Sequence, residues 1–213
     1  MTKLLVIRHG QSVSNLEGYF TGHMNTPLTE QGHVQAEITA NYIVSNYQVD
    51  AVYTSDLDRA YETGKAVADK LGLPVTKCED LREIYAGQWE GAYFTEIPKL
   101  YPESYDIWLN DVGNATPDGG ESVAALLDRI VTAVTRIAKE NEDKTVVIAC
   151  HGTPIRVLQC YCEGKTLDEM AQVPWVPNAS VSTVLYENGK LTMPIAGYDK
   201  QLGDLASSLP SNV

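Results

Sequence analysis

Histidine is scarce in this chain, with four residues among 213, and arginine is hardly commoner at six. Cysteine is equally thin. Cys78, Cys150, Cys160 and Cys162 are too few for a disulfide scaffold, and the Cys160-X-Cys162 pair lacks a second pair to complete a zinc site. Reduced thiols in a cytoplasmic protein are the expectation. Long apolar runs are missing too: Leu4-Leu5-Val6-Ile7 ends at Arg8, too short for the core of a secretory signal, and no later run would cross a bilayer. Positive charge is in deficit, with 16 basic against 28 acidic residues and a net charge of −12. That balance argues against nucleic acid and anionic membranes as partners. The four histidines form no His-X-His or His-Glu-X-X-His array, and neither a Walker loop nor a Gly-X-Ser-X-Gly elbow occurs. No metal and no cofactor is expected.

What remains is an ordinary globular balance, 44% hydrophobic and 21% charged. The length suits a single domain over 1–213. Strand-like runs cover 3–7, 51–54, 145–149 and 180–186, and Asn188-Gly189 then turns the last one into a hairpin with 190–193. Helical spacing joins Val34, Ile38 and Tyr42, then Ala60, Gly64, Val67 and Leu71. A longer helix over about 121–140 carries Val123, Leu127, Ile130, Val134 and Ile137 on one face. Another should start at Thr153-Pro154, with the threonine as cap. Buried strands alternating with amphipathic helices predict a three-layer α/β sandwich: a mostly parallel sheet flanked by helices, with an antiparallel hairpin at its edge. The aromatic segment 84–120 breaks this rhythm and reads as an insertion over the active-site edge, with a short helix around 94–101. The tail from Gly197 reads as loose.

One internal echo carries the chemistry. The run 4–10 and the run 146–152 both read as a buried strand followed by His-Gly, at His9-Gly10 and His151-Gly152. Ligands of open parallel sheets bind at the carboxyl ends of strands. Neighbouring strands would therefore deliver both imidazoles to one edge, where each glycine lets backbone amides approach an anion. The helix start at Thr153 would aim its positive end at the same spot. A lone histidine is usually a bystander; two at equivalent strand ends, one preceded by Arg8, are a candidate site. Arg59 has two readings at this level, a site cation or a solvent ion pair with Asp56 or Glu62. His33 reads as a surface residue, and His23 as one within reach of the pocket rim.

These residues resemble a known family. Arg8-His9-Gly10-Gln11-Ser12 with Asn15, the 27–32 block Pro-Leu-Thr-Glu-Gln-Gly, the 55–63 block around Arg59, Leu81-Arg82-Glu83, Gly87-Gln88-Trp89-Glu90-Gly91, Gly119-Gly120-Glu121-Ser122 and His151-Gly152 follow one another as in the histidine phosphatase superfamily, the phosphoglycerate-mutase-like fold. The resemblance implies His9 as the nucleophile that becomes a phosphohistidine. It implies Arg8, Arg59 and His151 as ligands of the transferring phosphoryl group, and Glu83 as proton donor and later base. Asn15, Thr21, Gly22 and Gly152 would complete the substrate cradle. Glu79 and Asp80 are rival carboxylates, and only the family spacing favours Glu83.

The implied substrate is a small phosphorylated metabolite, and the implied activity is metal-independent phosphomonoester hydrolysis. A mutase needs extra cations for a second phosphate, whereas Lys99 is the one basic residue within 84–120. Broad-specificity, α-ribazole-phosphate, phosphosugar and phosphoserine phosphatases are all candidates, and the sequence does not choose among them; mutase-type transfer and a silent binding module are the alternatives. The aromatics of 84–120 either contact the leaving group or pack the insertion down, two readings of equal weight.

Overall fold

The computed structural model describes residues 1–207. In chain order the elements are β1 (Thr2–Arg8), α1 (Val13–Glu17), α2 (Glu30–Asn46), β2 (Ala51–Thr54), α3 (Asp58–Leu71), β3 (Val75–Lys77), α4 (Ile97–Leu100), α5 (Pro102–Asn110), α6 (Val123–Glu140), β4 (Thr145–Cys150), α7 (Gly152–Cys162), β5 (Val181–Glu187) and β6 (Lys190–Tyr198). The sheet runs in the order β3-β2-β4-β1-β5-β6. The first four of these strands are parallel, and β5 and β6 are antiparallel. This is the expected sandwich with its edge hairpin.

Alternation within β1 divides the core. Leu4 and Val6 face α6 and α7, packing with Ile130, Val134 and Ile155. Leu5 and Ile7 face the other way, against Ala40 and Ile43 of α2 and Val67 of α3. Large side chains buried on both faces contribute roughly 1.5–3 kcal/mol each, which holds the central strands in register. That register sets Arg8 opposite Cys150. His9 and His151 therefore emerge side by side.

Several expectations need correction. In α2 the Val34–Ile38–Tyr42 stripe is not the buried face, since Val34 is 48% exposed. The buried face is Gly32, Gln35, Ala36, Thr39, Ala40 and Ile43. Small and polar residues win there because they bond across: Gln35 accepts the Gln11 N–H, and Thr39 donates to the Ala179 carbonyl. In α6, Leu126 is buried while Leu127 is only partly so. Helix α7 starts two residues earlier than expected. His151 holds the cap position with an extended backbone and Thr153 is the second helical residue, because β4 runs straight into the helix.

The three-residue strand β3 gave no sequence signal. Segment 84–120 holds two α-helices where one short helix was expected, and α5 starts at Pro102, a residue suited to the first helical turn. The chain from 197 to 207 is also tied down: β6 runs to Tyr198, Leu202 is buried, and Gln201 bonds Thr39 and Ala179. The remainder of that tail, 208–213, lies outside the described residues. The cysteines are free thiols, three of them buried. Among the described residues, no helix is long and apolar enough to cross a membrane.

The loop after β1 depends on a backbone-to-backbone approach. A Cβ on Gly32 would stand 2.0 Å from the Gln11 carbonyl oxygen, and one on Gly10 would stand 2.4 Å from the Gly32 carbonyl oxygen. Gly32→Ala is expected to cost about 1–3 kcal/mol by overpacking, read as a lower urea midpoint at unchanged slope. An unchanged midpoint would show that the loop can yield.

Candidate active site

The rings of His9 and His151 meet edge to face with centroids 5.2 Å apart, and both are buried. His9 Nδ1 lies 2.7 Å from the Gly10 carbonyl oxygen. A carbonyl only accepts, so the proton belongs on Nδ1 and the Nε2 lone pair stays free. Burial, then the charges of Arg59 and Arg8, hold this ring well below the usual imidazole value, with the Gly10 bond opposing them. The ring is therefore neutral near pH 7, the form a nucleophile requires. Burial followed by Arg59 likewise depresses His151. Its Nε2 is 2.9 Å from Ser55 Oγ, and its Nδ1 is buried with no partner among the described residues.

Two guanidinium groups flank the rings. Arg8 donates to the Val176 carbonyl at 2.6 Å, and its buried Nε has no partner among the described residues. Arg59 is 1% exposed and donates to the Met24 and Gly22 carbonyls, both at 2.9 Å. The solvent ion-pair reading of Arg59 is therefore wrong; Asp56 pairs with Arg82 instead. Burial lowers Arg59 to about 10. It stays charged at neutral pH.

These groups open onto one cleft of roughly 510 Å3 including its mouth, lined by Arg8, His9, Asn15, Thr21, Gly22, Arg59, Glu83 and Gly152. His151 stands behind it against His9. Asn15 Oδ1 accepts from the Ser12 N–H at 3.1 Å, the Ser12 hydroxyl at 3.0 Å and Asn178 Nδ2 at 3.1 Å. Its own amide hydrogens are left for a ligand. Glu83 Oε1 accepts its neighbour Ile84 N–H at 2.8 Å, and Oε2 accepts the Thr153 N–H at the start of α7 at 3.4 Å. Glu79 and Asp80 point elsewhere, to Arg82 and Arg136. A Cβ on Gly152 would meet the Trp175 ring at 3.3 Å and Arg8 Cζ at 3.4 Å, so glycine lets the guanidinium pack down. Gly10 plays a different part from the one expected, because its N–H is taken by the Thr63 hydroxyl at 3.1 Å and cannot serve an anion. His33 sits at the surface near Glu62, and His23 binds the Glu83 carbonyl without lining the cleft.

The model of the histidine phosphatase superfamily, branch 1, matches residues 4–195. The chain belongs to the histidine phosphatase superfamily. It is 32% identical over 198 residues to phosphoglycerate mutase-like protein 4 of Arabidopsis thaliana, covering 92% of this chain and 84% of that one. It is 31% identical over 187 residues to phosphoserine phosphatase 1 of Hydrogenobacter thermophilus, covering 88% of each. Among solved structures, YhfR of Bacillus stearothermophilus superposes with a TM-score of 0.90 at 29% identity, covering 95% of this chain and all of that one.

Sequence reading missed part of this histidine phosphatase site. Tyr19, Phe20, Thr153 and Trp175 also line the cleft. Asn178, buried, donates to the carbonyls of His9 and Gly10 and to Asn15. No motif announces Trp175 or Asn178; the antiparallel return before β5 brings them in. Phe94 and Trp108 reach the cleft, whereas Trp89 is 1% exposed and packs against Tyr101 and Tyr105. Cys150, next to His151, stays a protonated thiol at neutral pH, since burial pushes it up to about 12. Among the described residues, no three His, Cys, Asp or Glu side chains gather as a metal-holding group.

The depressed imidazoles couple stability to pH. In the unfolded chain both titrate near 6.5, in the folded one well below it. Above about pH 6.5 neither state carries the extra protons. Below it the unfolded chain binds them first, so stability falls as pH falls, by up to about 1.4 kcal/mol per pH unit for each ring, until the folded values are reached. Denaturant titrations between pH 7 and 5 should show a steeper loss for the wild type than for His151→Gln. Equal slopes would mean that His151 is not held neutral.

Proposed function

We propose that this chain is a cytoplasmic, metal-independent phosphomonoester hydrolase acting through a phosphohistidine on His9. The observation that carries the reading is the free Nε2 of a neutral, buried His9 beside the buried guanidinium group of Arg59 and the half-buried one of Arg8. In a chain of net charge −12, Arg8 and Arg59 are the cations that line the cleft. Together they match a phosphate dianion, and the fork geometry of guanidinium suits its oxygens.

In the first step Nε2 attacks phosphorus in line, the ester P–O bond breaks, and the Glu83 carboxyl gives its proton to the departing alkoxide. Nδ1–H keeps its bond to the Gly10 carbonyl, so the phosphorylated ring needs no reorientation. In the second step the Glu83 carboxylate takes a proton from water, the oxygen attacks phosphorus, and the P–N bond breaks to release phosphate. His151, through the Nδ1 left unpaired when Ser55 serves Nε2, and the Asn15 amide donate to the transferring group as its charge shifts.

Beyond the phosphoryl cradle the lining is aromatic: Tyr19, Phe20, Phe94, Trp108 and Trp175. Lys99 is exposed on α4 and is not among the lining residues. A second phosphate or a carboxylate on the leaving group would lose water there and meet no cation besides Arg8 and Arg59. This favours hydrolysis over mutase-type transfer. It also favours a leaving group with an uncharged ring or apolar face, as in a broad-specificity or α-ribazole-phosphate enzyme.

Hydrolysis of p-nitrophenyl phosphate should proceed in EDTA and fall at least about 1,000-fold in His9→Ala, within the range that nucleophile loss removes. Equal activity of the two proteins would sink the reading. In a panel of esters, phosphorylated nucleoside-like alcohols should exceed 3-phosphoglycerate by at least about 10-fold in kcat/KM. With a bisphosphate primer, isomerisation of 3-phosphoglycerate faster than phosphate release would establish a mutase instead.

A further inference from the structure

Glu83 lies in a stretch that joins no strand, so its backbone polar groups rely on side chains from elsewhere. Two donors converge on the Glu83 carbonyl oxygen, His23 Nε2 at 2.9 Å and an Arg129 terminal nitrogen at 3.2 Å. Arg129 also donates to the carbonyls of Asp80 at 2.8 Å and Arg82 at 3.1 Å. One guanidinium from α6 thus gathers three carbonyls of the segment that delivers the acid. Arg129 is itself fixed by a two-pronged pair with Glu121, at 2.9 and 2.7 Å, with side chains only 21% and 16% exposed. Glu121 reaches past Glu83 as well: its N–H donates to the Tyr85 carbonyl at 2.7 Å, and its carboxylate accepts the Tyr85 N–H at 3.3 Å. Neither residue lines the cleft.

The peptide between Glu83 and Ile84 connects this clamp to the chemistry. That unit is planar, so holding its carbonyl oxygen fixes where its N–H points. The same N–H holds Glu83 Oε1 at 2.8 Å. Turning the peptide would swing the carboxyl away from its position beside Arg8, Arg59 and the amide of Thr153.

We infer that the Glu121–Arg129 pair is a positioning device for Glu83, setting its proton-transfer geometry from outside the cleft. The inference rests on the reading of Glu83 as the acid. Its signature is selectivity for the leaving group. A phenolate departs from p-nitrophenyl phosphate without a proton, whereas the alkoxide of β-glycerophosphate needs one. The ratio kcat/KM covers the steps up to formation of the phosphohistidine, so the later base role of Glu83 does not enter it.

The test compares wild type, Arg129→Met, Glu121→Gln and Glu83→Gln on both esters, with thermal melts to confirm folding. Arg129→Met should lower kcat/KM for β-glycerophosphate about 10- to 100-fold, part of what a general acid supplies, and change p-nitrophenyl phosphate less than about 3-fold. Glu121→Gln, which keeps shape and one acceptor, should fall in the same direction by less, and it decides the matter if Arg129→Met does not fold. Glu83→Gln should show the strongest bias against β-glycerophosphate. If Glu83→Gln is biased while the folded clamp variants lose both substrates equally, or neither, the clamp is merely structural and the inference falls. If Glu83→Gln itself shows no bias, the acid assignment fails and the clamp's role goes with it.

Discussion

Parallel pairing of β1 with β4, with Arg8 opposite Cys150, is the constraint on which the site depends. Each strand is followed by His-Gly, and each is buried on both faces. A slip of either by one residue would exchange the side chains that pack against the two helix layers and spoil the fit of both. The register that keeps Leu4 through Ile7 and Val146 through Ala149 out of water therefore also sets the two imidazoles 5.2 Å apart. Hydrophobic burial does the positioning, and the chemistry inherits its accuracy.

Electrostatics at the sheet edge follow from that placement. Burial and two flanking guanidinium groups both disfavour protonated imidazole. The same guanidinium groups are the place where an otherwise acidic molecule welcomes an anion. A neutral imidazole and a cationic cleft are thus one arrangement seen twice. The carbonyl of Gly10 completes it by choosing the tautomer, and that carbonyl is in turn braced by Asn178. Gly10 is glycine because the Gly32 backbone crowds it, which gives the Pro27-to-Gly32 block a physical reason to accompany the His9 block.

Much of this was legible in the sequence. The parallel strands announced themselves as apolar runs, and the His-Gly echo located the site before any coordinate did. Arg8, Arg59, Asn15, Thr21, Gly22, Glu83 and Gly152 all line the cleft, and His151 backs it. What stayed hidden shares a cause: its signal is tertiary. The buried face of α2 mixes small apolar residues with Gln35 and Thr39, which bond to other segments, so hydrophobic spacing pointed to the wrong side. β3 is too short for a period, and Pro102 looks the same whether it breaks a helix or begins one. Trp175 and Asn178 enter the site from a return loop about 170 residues after His9, which no local pattern can reveal.

The most direct measurement of the central claim is the position of phosphorus on the ring. The reaction would be trapped on 15N-histidine-labelled protein by rapid mixing with an aryl phosphate and alkaline quench, and the phosphohistidine isomer read by 15N–31P coupling. Phosphorus on Nε2 of His9 is the expected result, because Nδ1 is committed to the Gly10 carbonyl. Phosphorus on Nδ1, on another residue, or on no residue during steady turnover would contradict it.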